Sequence, residues 1–419
     1  MDRTLNQLIQ NFSNHNLLRF FERRNSRTVE INQDFPHLSM EGFGTPCHIC
    51  RISFPPVSHL DVFSIPVQED LSFRSGKKKQ YDFAIQILKQ INAFNGIFVF
   101  YDSAGNFRFS FIYRVPEGPR VRSSNYRRFT YFVSSKLTNK TFRMRVGSCN
   151  FESPEAIEEA FSVEVVTKSF YNELADWYFW ACQEVEFPPD AEKVENGRQM
   201  AVIRLITRLI FIWFMREKGL IPPEIFDKQI LNETLKDLSD SSSSFYLAVL
   251  QNLFFTTLNT PMDKREFRSE IRGYKGFNPD HGNQYRYHHL ALFKDPEFIN
   301  KYLIQIPFLN GGLFDCLDAP DRALYIDGFS DTKKNQPKVP NRLFFSSETV
   351  ADLNADYGTT NKTYRVKGLL EILSSYNFTI DENTLDDQEV ALDPELLGRV
   401  FENLLASFNP ETSKTARRA

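Results

Sequence analysis

Two β-prone runs joined by a short turn constrain the fold of this chain more than any other feature. Residues 96–102 are almost wholly apolar, and residues 103–106 then turn the chain. Residues 107–114 alternate aromatic with polar side chains in their first half, the pattern of a strand with two unlike faces. Together they predict an antiparallel β-hairpin over residues 97–114. A further apolar run, 128–134, predicts another strand of the same sheet.

Helical periodicity flanks this sheet on both sides. Residues 79–94 place Phe83, Ile87, Leu88 and Ile91 on one face of a predicted helix. Beyond residue 150 the apolar spacing is that of helices, and the longest are expected at 166–182 and 198–218. The expected fold class is therefore α+β: an N-terminal mixed α/β module with an antiparallel hairpin sheet, followed by a mostly α-helical region.

The distribution of charge divides the chain. Residues 108–145 carry ten basic side chains and one acid, whereas residues 151–200 carry twelve acids and three basic residues. Such a reversal predicts a domain boundary near residue 150. We expect a basic mixed α/β module over 1–150, a helical domain over 151–258, an irregular, loop-rich segment over 259–345 and a helical connector over 346–419.

The basic block at 108–145 is the strongest functional signal that charge alone gives. Cations interleaved with aromatic rings can bind nucleic-acid phosphates and stack on bases, although at strand spacing half of the rings belong to the core. One alternative is an ordinary basic face packed on the acidic helical region, and another is a protein-binding adaptor whose basic sheet meets an acidic partner. The expected DNA-binding residues are Arg108, Arg114, Arg120, Arg122, Arg127, Arg128, Lys136, Lys140, Arg143 and Arg145.

The sequence offers no clear catalytic or metal-binding constellation, and we predict none. Cys47 and Cys50 are the only close cysteine pair, and a zinc site would need a second pair or paired histidines, so packing thiols are expected. His288 and His289 are adjacent and point to different sides of most backbones, so a polar surface loop is expected there. A metal-dependent nuclease needs converging carboxylates, and no carboxylate follows Asp102 on the second hairpin strand.

The compartment follows from the cysteines and the apolar segments. Five cysteines without framework spacing favour a reducing cytoplasm. The longest apolar stretch, 209–215, is too short to span a membrane, and the N-terminus has no apolar segment of signal-peptide type. A cytoplasmic protein without a membrane partner is expected.

Four stretches resemble the N-terminal and middle region of type IIG-like restriction-modification proteins, whose catalytic half is an adenine-specific DNA methyltransferase. They are EAFSVEVVTKSF at 159–170, TRLIFIWFMREKG at 207–219, IPFLNGGLF at 306–314 and DPELLGRVFENLL at 393–405. The hairpin and the region 127–130 extend the resemblance over most of the chain. None of these motifs is itself catalytic, but their order is fairly specific.

The resemblance implies that an amphipathic helix over 396–408 leads into a methyltransferase domain. The sequence lacks the glycine motif that binds S-adenosylmethionine and the Asn-Pro-Pro-Tyr motif, which residues 276–280 do not match. We therefore expect a truncated or split protein with no cofactor of its own, with S-adenosylmethionine confined to the absent domain. Its expected partners are double-stranded DNA and a methyltransferase half encoded downstream.

The function that the resemblance implies is the DNA-contacting, scaffold part of a restriction-modification protein. Whether this chain is itself an enzyme is left open, because the methyltransferase motifs are missing. Some members of the family carry a metal-dependent endonuclease at the N-terminus. A nuclease module over 1–150, without a recognisable active site, is therefore the third alternative beside the DNA-contacting part and the adaptor.

Overall fold

The fold is α+β, as predicted, with a mixed β-sheet in the N-terminal part and a mostly helical region after it. The computed structural model describes residues 2–54, 58–71, 77–114, 126–137, 139–268, 278–309, 311–378, 387–389, 392 and 398 of the 419-residue chain. The chain forms two compact units. The first comprises the described parts of 1–169 and 374–394, and the second those of 170–373 and 395–419. The division into four segments stays a prediction.

The described part of the first unit contains helices interspersed with the strands of the main sheet. The helices are α1 (Arg3–Gln10), α2 (Asn14–Arg24), α3 (Lys77–Gln90), α4 (Lys140–Arg145) and α5 (Pro154–Ala160). The strands are β1 (Thr28–Asp34), β2 (Cys47–Phe54), β3 (Ser58–Pro66), β4 (Asn95–Tyr101), β5 (Phe107–Arg114) and β6 (Tyr126–Val133). The predicted hairpin is confirmed as β4 and β5, and the predicted further strand as β6.

The seven strands of the main sheet follow chain order, β1 to β6, with β9 (Asp387–Glu389) at the far edge. Neighbouring strands run antiparallel, except that β3 pairs with β4 and β6 pairs with β9 in parallel. A parallel pair needs a crossover connection, and α3 lies in the one between β3 and β4. This crossover places α3 against one face of the sheet.

Each face of the sheet has its own apolar core. On the α3 side, the predicted helix face is confirmed: Phe83, Ile87 and Leu88 are buried against the sheet. The sheet residues of that cluster are Phe63, Ile65, Phe98, Phe100, Ile112 and Tyr126. On the opposite side Phe109 is the centre of an aromatic cluster, with ring centroids 6.1 Å from Phe21, 5.4 Å from Phe142 and 6.0 Å from Phe161.

Helices dominate the described chain beyond residue 160. The two longest, α6 (Val163–Glu184) and α8 (Gly197–Glu217), confirm the helices predicted at 166–182 and 198–218. The shorter ones are α7 (Pro189–Glu192), α9 (Lys228–Thr234), α10 (Arg342–Phe345), α11 (Asn354–Tyr357) and α12 (Leu369–Ser375). Three π-helical segments, at 245–250, 252–257 and 299–303, follow α9.

Two short strands complete the described elements of the second unit. They are β7 (Thr349–Ala351) and β8 (Tyr364–Val366), which pair antiparallel. The amphipathic helix predicted at 396–408 lies outside the described residues. Among the residues that are described, no helix combines the length and the apolar character needed to cross a bilayer.

Candidate nucleic-acid interface

Alternation along β5 and β6 sends the predicted DNA-binding cations to opposite faces of the sheet. Residues directly opposite each other on neighbouring strands share a face. Arg128 lies opposite Ile112, a member of the α3 core, so it points to the α3 side, and Arg108 and Arg114 follow at even spacing on β5. Arg127 lies opposite Tyr113 and faces the other way. A single stretch of sequence therefore does not form a single basic surface.

Two of the predicted DNA-binding residues are inside the protein. Arg108 and Arg128 are each 1% exposed. Arg108 Nη1 donates to Gln80 Oε1 at 3.1 Å, and Arg128 Nη1 donates to the carbonyl of Lys77 at 2.8 Å. The Arg128 guanidinium also lies 5.5 Å from the centre of the Tyr81 ring. Guanidinium groups that are buried under α3 do not face solvent phosphates, so both residues are left out of the interface proposed below.

Arg127 has the placement that the prediction requires, because it is exposed beside aromatic rings. It lies beside the Tyr113 side chain, whose ring stacks on Phe129 at 6.1 Å and on Phe111 at 5.1 Å. Burial raises the pKa of Tyr113 and nearby Glu158 adds to the effect, while Arg127 opposes it. Arg127 thus carries its charge at the edge of a half-buried aromatic cluster.

The remaining predicted cations differ in their surroundings. Lys136 is exposed and Arg114 is half-buried. Lys140 Nζ donates to Ser375 Oγ at 3.0 Å, Arg143 contacts the Asn6 side chain, and Arg145 contacts both the carbonyl and the carboxylate of Glu159. Arg120 and Arg122 lie outside the described residues, between Arg114 and Tyr126. The DNA-binding role of the block stays a prediction.

Asp102, the acid considered for a nuclease, holds a turn. It follows β4 and is buried, and its carboxylate accepts hydrogen bonds from the backbone N–H groups of Leu71, Ala104 and Asn106 at 2.9–3.0 Å. The Asn106 side chain donates to it as well, at 2.9 Å. A carboxylate with four donors at the end of a hairpin stabilises that turn.

The cysteine pair on β2 is buried, and its thiols are protonated at neutral pH. Burial raises the pKa of Cys47 to about 12, with Asp34 adding to the shift, and burial also raises the pKa of Cys50. Across the described part of the chain, no group of three or more His, Cys, Asp or Glu side chains is arranged to hold a metal ion.

The expected polar surface loop at His288 and His289 is wrong, because both residues are buried. His288 Nδ1 is 2.6 Å from the carbonyl of Arg286, and its ring centre is 4.2 Å from that of Phe329. His289 Nε2 is 3.0 Å from the Gln251 side chain, and Nδ1 is 3.3 Å from Asp331 Oδ1. Hydrogen bonds to residues distant in sequence offset the cost of burying the His289 ring.

A cluster on β2 and β3 was not predicted from the sequence. Asp61 is 0% exposed, and three side chains surround its carboxylate: Arg51 Nε at 2.7 Å, His48 Nε2 at 3.0 Å and His59 Nε2 at 3.3 Å. Burial raises the pKa of Asp61, but His48 and Arg51 outweigh that effect and hold the pKa below its ordinary value. The sequence signal available for this cluster was a spacing of two residues, between Arg51 and Ser53 on one β-strand and between His59 and Asp61 on the next. Side chains two residues apart on a strand lie on the same face.

Two of the stretches that carried the family resemblance contact each other. Arg208, in α8, is buried, and it donates to the carbonyl of Leu313 at 2.8 Å and to that of Asp315 at 2.9 Å. Phe211 and Phe314 are 5.9 Å apart between ring centres. The stretches 207–219 and 306–314 therefore form one structural unit. The stretch at 393–405 lies outside the described residues, apart from residue 398.

Comparison with known proteins relates the chain to restriction-modification proteins. A protein of Methanocaldococcus jannaschii, described provisionally as a type II restriction enzyme and methyltransferase, is 29% identical over 223 residues. The matched stretch makes up 53% of this chain and 13% of the relative, so the chain spans only a small part of that protein. No protein-family model matches the chain, and no solved structure matches it.

Proposed function

We propose that this chain is the DNA-contacting, scaffold part of a restriction-modification protein of the type IIG class, acting in the cytoplasm. The observation that carries the proposal is the similarity to a protein described as both a restriction enzyme and a methyltransferase. Both activities named in that description act on DNA. A module that holds DNA beside them is consistent with the near-neutral chain and its one strongly basic block.

The proposed contact residues are the cations of the basic block that reach solvent, on whichever face of the sheet they lie. Arg127 and Lys136 are exposed and Arg114 is half-buried, whereas Arg108 and Arg128 are buried. Arg114 and Arg127 are carried by the strands on either side of residues 115–125, which include Arg120 and Arg122. Phosphate contacts from such cations bind DNA without reading its sequence.

The test is equilibrium binding of the full chain to a fluorescent DNA duplex over a series of salt concentrations. Wild-type affinity should fall steeply with salt. Arg127→Glu and Lys136→Glu should each weaken binding, and neutralising one phosphate contact should reduce the slope of log K against log salt by about 1. Arg365→Glu is the matched control, because Arg365 is equally a surface arginine but pairs with Glu348 in the second unit.

Three results would count against this function. They are no binding at low salt, an affinity indifferent to salt, or an equal loss in Arg365→Glu. The first would favour the protein-binding adaptor, for which an acidic partner protein would replace DNA in the same assay.

A further inference from the structure

Helices α1, α2 and α4 form one layer on the sheet face opposite α3. Both α2 and α4 pack on the aromatic cluster around Phe109. Helix α1 is joined to each of them: Arg24, the last residue of α2, pairs with Asp2, the N-cap of α1. Arg143 of α4 contacts the side chain of Asn6 of α1. The outer surfaces of the three helices are therefore neighbours.

The faces of α1 and α2 that turn away from the sheet carry arginines. The buried residues are Leu5, Leu8 and Ile9 in α1 and Leu17, Leu18, Phe20 and Phe21 in α2. At about 100° per residue, Arg3 lies opposite the buried face of α1, and Arg19 lies opposite that of α2, with Arg23 one turn further on. All three arginines are exposed. Within the described residues, none of them pairs with a carboxylate.

The charge of this layer is almost wholly of one sign. The three helices contain seven basic residues and one acid, Glu22. Glu22 lies about 160° around α2 from Arg24, the residue that points toward α1. Burial raises the pKa of Cys50 on β2, and nearby Glu22 adds to the effect, which places Glu22 toward β2. The acid therefore lies on the side of α2 that is remote from α1 and α4.

The side chains around these arginines suit a sugar-phosphate backbone better than a protein or a membrane. Protein interfaces have an apolar core, and helices that bind membranes insert apolar side chains. On these three helices, each of which the structure describes in full, Met144 is the one large hydrophobic side chain that is exposed, at 61%. Gln7 and Gln10 lie beside Arg3 on the exposed face of α1. Their amides can donate to phosphate and sugar oxygens.

We propose that Arg3, Arg19 and Arg23 form a contact surface for the backbone of duplex DNA. They lie outside the basic block, on the side of the sheet to which Arg127 points. Arg19 and Arg23 are about 6 Å apart along the helix axis, so each can contact a phosphate of its own. A guanidinium without a carboxylate partner has its whole fork available for phosphate oxygens. The choice of DNA rests on the proposed function, whereas the exposed cationic surface does not.

The first experiment measures binding of the full chain to a fluorescent DNA duplex against salt. Replacing Arg19 and Arg23 together by Gln should lower the slope of log K against log salt by about 2, and Arg3→Gln should lower it by about 1. Arg365→Gln is the matched control, because it removes the same charge from an exposed residue of the second unit and should leave the slope unchanged. Glu22→Gln should also leave it unchanged.

The outcomes separate this surface from the proposed function. If the helix variants keep the wild-type slope while Arg127→Glu and Lys136→Glu weaken binding, the helix surface is overturned and the proposed function stands. An equal loss of slope in Arg365→Gln would overturn the surface as well. If only the helix variants lose binding, the surface holds and the strand residues are not the contacts. A wild-type chain that binds no duplex at low salt overturns both.

Chemical modification provides a readout that needs no substitution. Phenylglyoxal reacts with accessible guanidinium groups, and mass spectrometry gives the rate at each arginine with and without duplex DNA. DNA should slow the reaction several-fold at Arg3, Arg19 and Arg23 and leave Arg365 unchanged. Polyglutamate at the same charge concentration is the competing probe. Protection by polyglutamate equal to that by DNA would overturn the DNA assignment and indicate an acidic protein partner.

Discussion

His288 shows at the scale of one residue how burial and pH are coupled in this protein. Its Nδ1 atom lies against the carbonyl of Arg286, and its Nε2 atom makes no hydrogen bond. Burial lowers the pKa of His288 to about 4, with His289 adding to the effect. The ring is therefore neutral throughout the physiological range, with the proton on Nδ1 donated to the Arg286 carbonyl.

A pH dependence of stability follows from this neutral ring. In the unfolded chain a histidine takes up its proton near pH 6.5. Between pH 6.5 and about 4 the unfolded state binds more protons than the folded state, so folding stability falls as pH falls through that window. The loss is on the order of 3 kcal/mol. Urea denaturation at pH 7, 5.5 and 4 should show it.

His288→Asn is the matched variant, because its amide can donate to the Arg286 carbonyl but does not titrate. The variant should lose less stability than the wild type between pH 6.5 and 4, whatever its stability at pH 7. Parallel pH profiles for the two proteins would contradict the assignment of this window to His288.

At the scale of elements, the strands and helices with strong local periodicity could be predicted from the sequence. The hairpin β4–β5, strand β6 and helix α3 each have a period that local steric and hydrophobic preferences set. The same alternation also decides which cations are buried. Arg108 and Arg128 lie on the same face of the sheet as Ile112, which packs on α3. Their burial could be recognised only once the register of β5 and β6 was known.

Other parts of the fold depend on contacts between residues that are distant in the chain. Asn252, in a π-helical segment, accepts from the backbone N–H of His288 and donates to its carbonyl, both at 2.8 Å. The Asn252 side chain thus makes the two hydrogen bonds with the His288 backbone that a residue of a neighbouring β-strand would make. The Asp61 cluster likewise requires the register of β2 against β3. Local spacing can place residues on one face of a strand, but it does not specify which distant segments pair, so these parts of the core and of the candidate site could not be predicted.

Arg208 links helix α8 to the segment around residues 313–315, and its replacement should destabilise the packing between them. Besides its bonds to the carbonyls of Leu313 and Asp315, its Nη1 atom is 3.5 Å from Asp327 Oδ1, and its guanidinium is 5.0 Å from the Phe255 ring centre. Arg208→Met keeps the volume but leaves a buried carboxylate without its closest cation. We expect a loss of about 3–5 kcal/mol in the free energy of unfolding by denaturant titration.

The control for Arg208→Met is Arg216→Met on the same helix. Arg216 pairs with Glu217 at 3.0 Å and lies 4.4 Å from the Trp213 ring centre, at a partly exposed position. Its replacement should cost about 1 kcal/mol or less. If both substitutions destabilise the protein equally, the contact between the stretches 207–219 and 306–314 is not held by Arg208.

At the scale of the whole molecule, the described sheet differs from those that bind cofactors at a glycine-rich turn. Doubly wound folds bind ligands at the carboxyl ends of parallel strands. Here β3 with β4 and β6 with β9 are the parallel neighbours, and the other neighbouring strands of the described sheet are antiparallel. The described sheet therefore does not have the arrangement of a doubly wound nucleotide-binding fold.

The cofactor prediction can be tested on the chain directly. Because the sequence contains neither the glycine motif nor the Asn-Pro-Pro-Tyr motif, we expect no binding of S-adenosylmethionine and no methyl transfer to DNA. Calorimetric titration with S-adenosylmethionine should give only heats of dilution. Thermal unfolding offers an independent measurement, since a ligand present at 100 times its Kd would stabilise the folded state by about 2.7 kcal/mol and raise Tm. A saturable, stoichiometric heat together with a raised Tm would show that residues of this chain form a cofactor site by a different motif, and that the DNA-contacting proposal describes only part of its function.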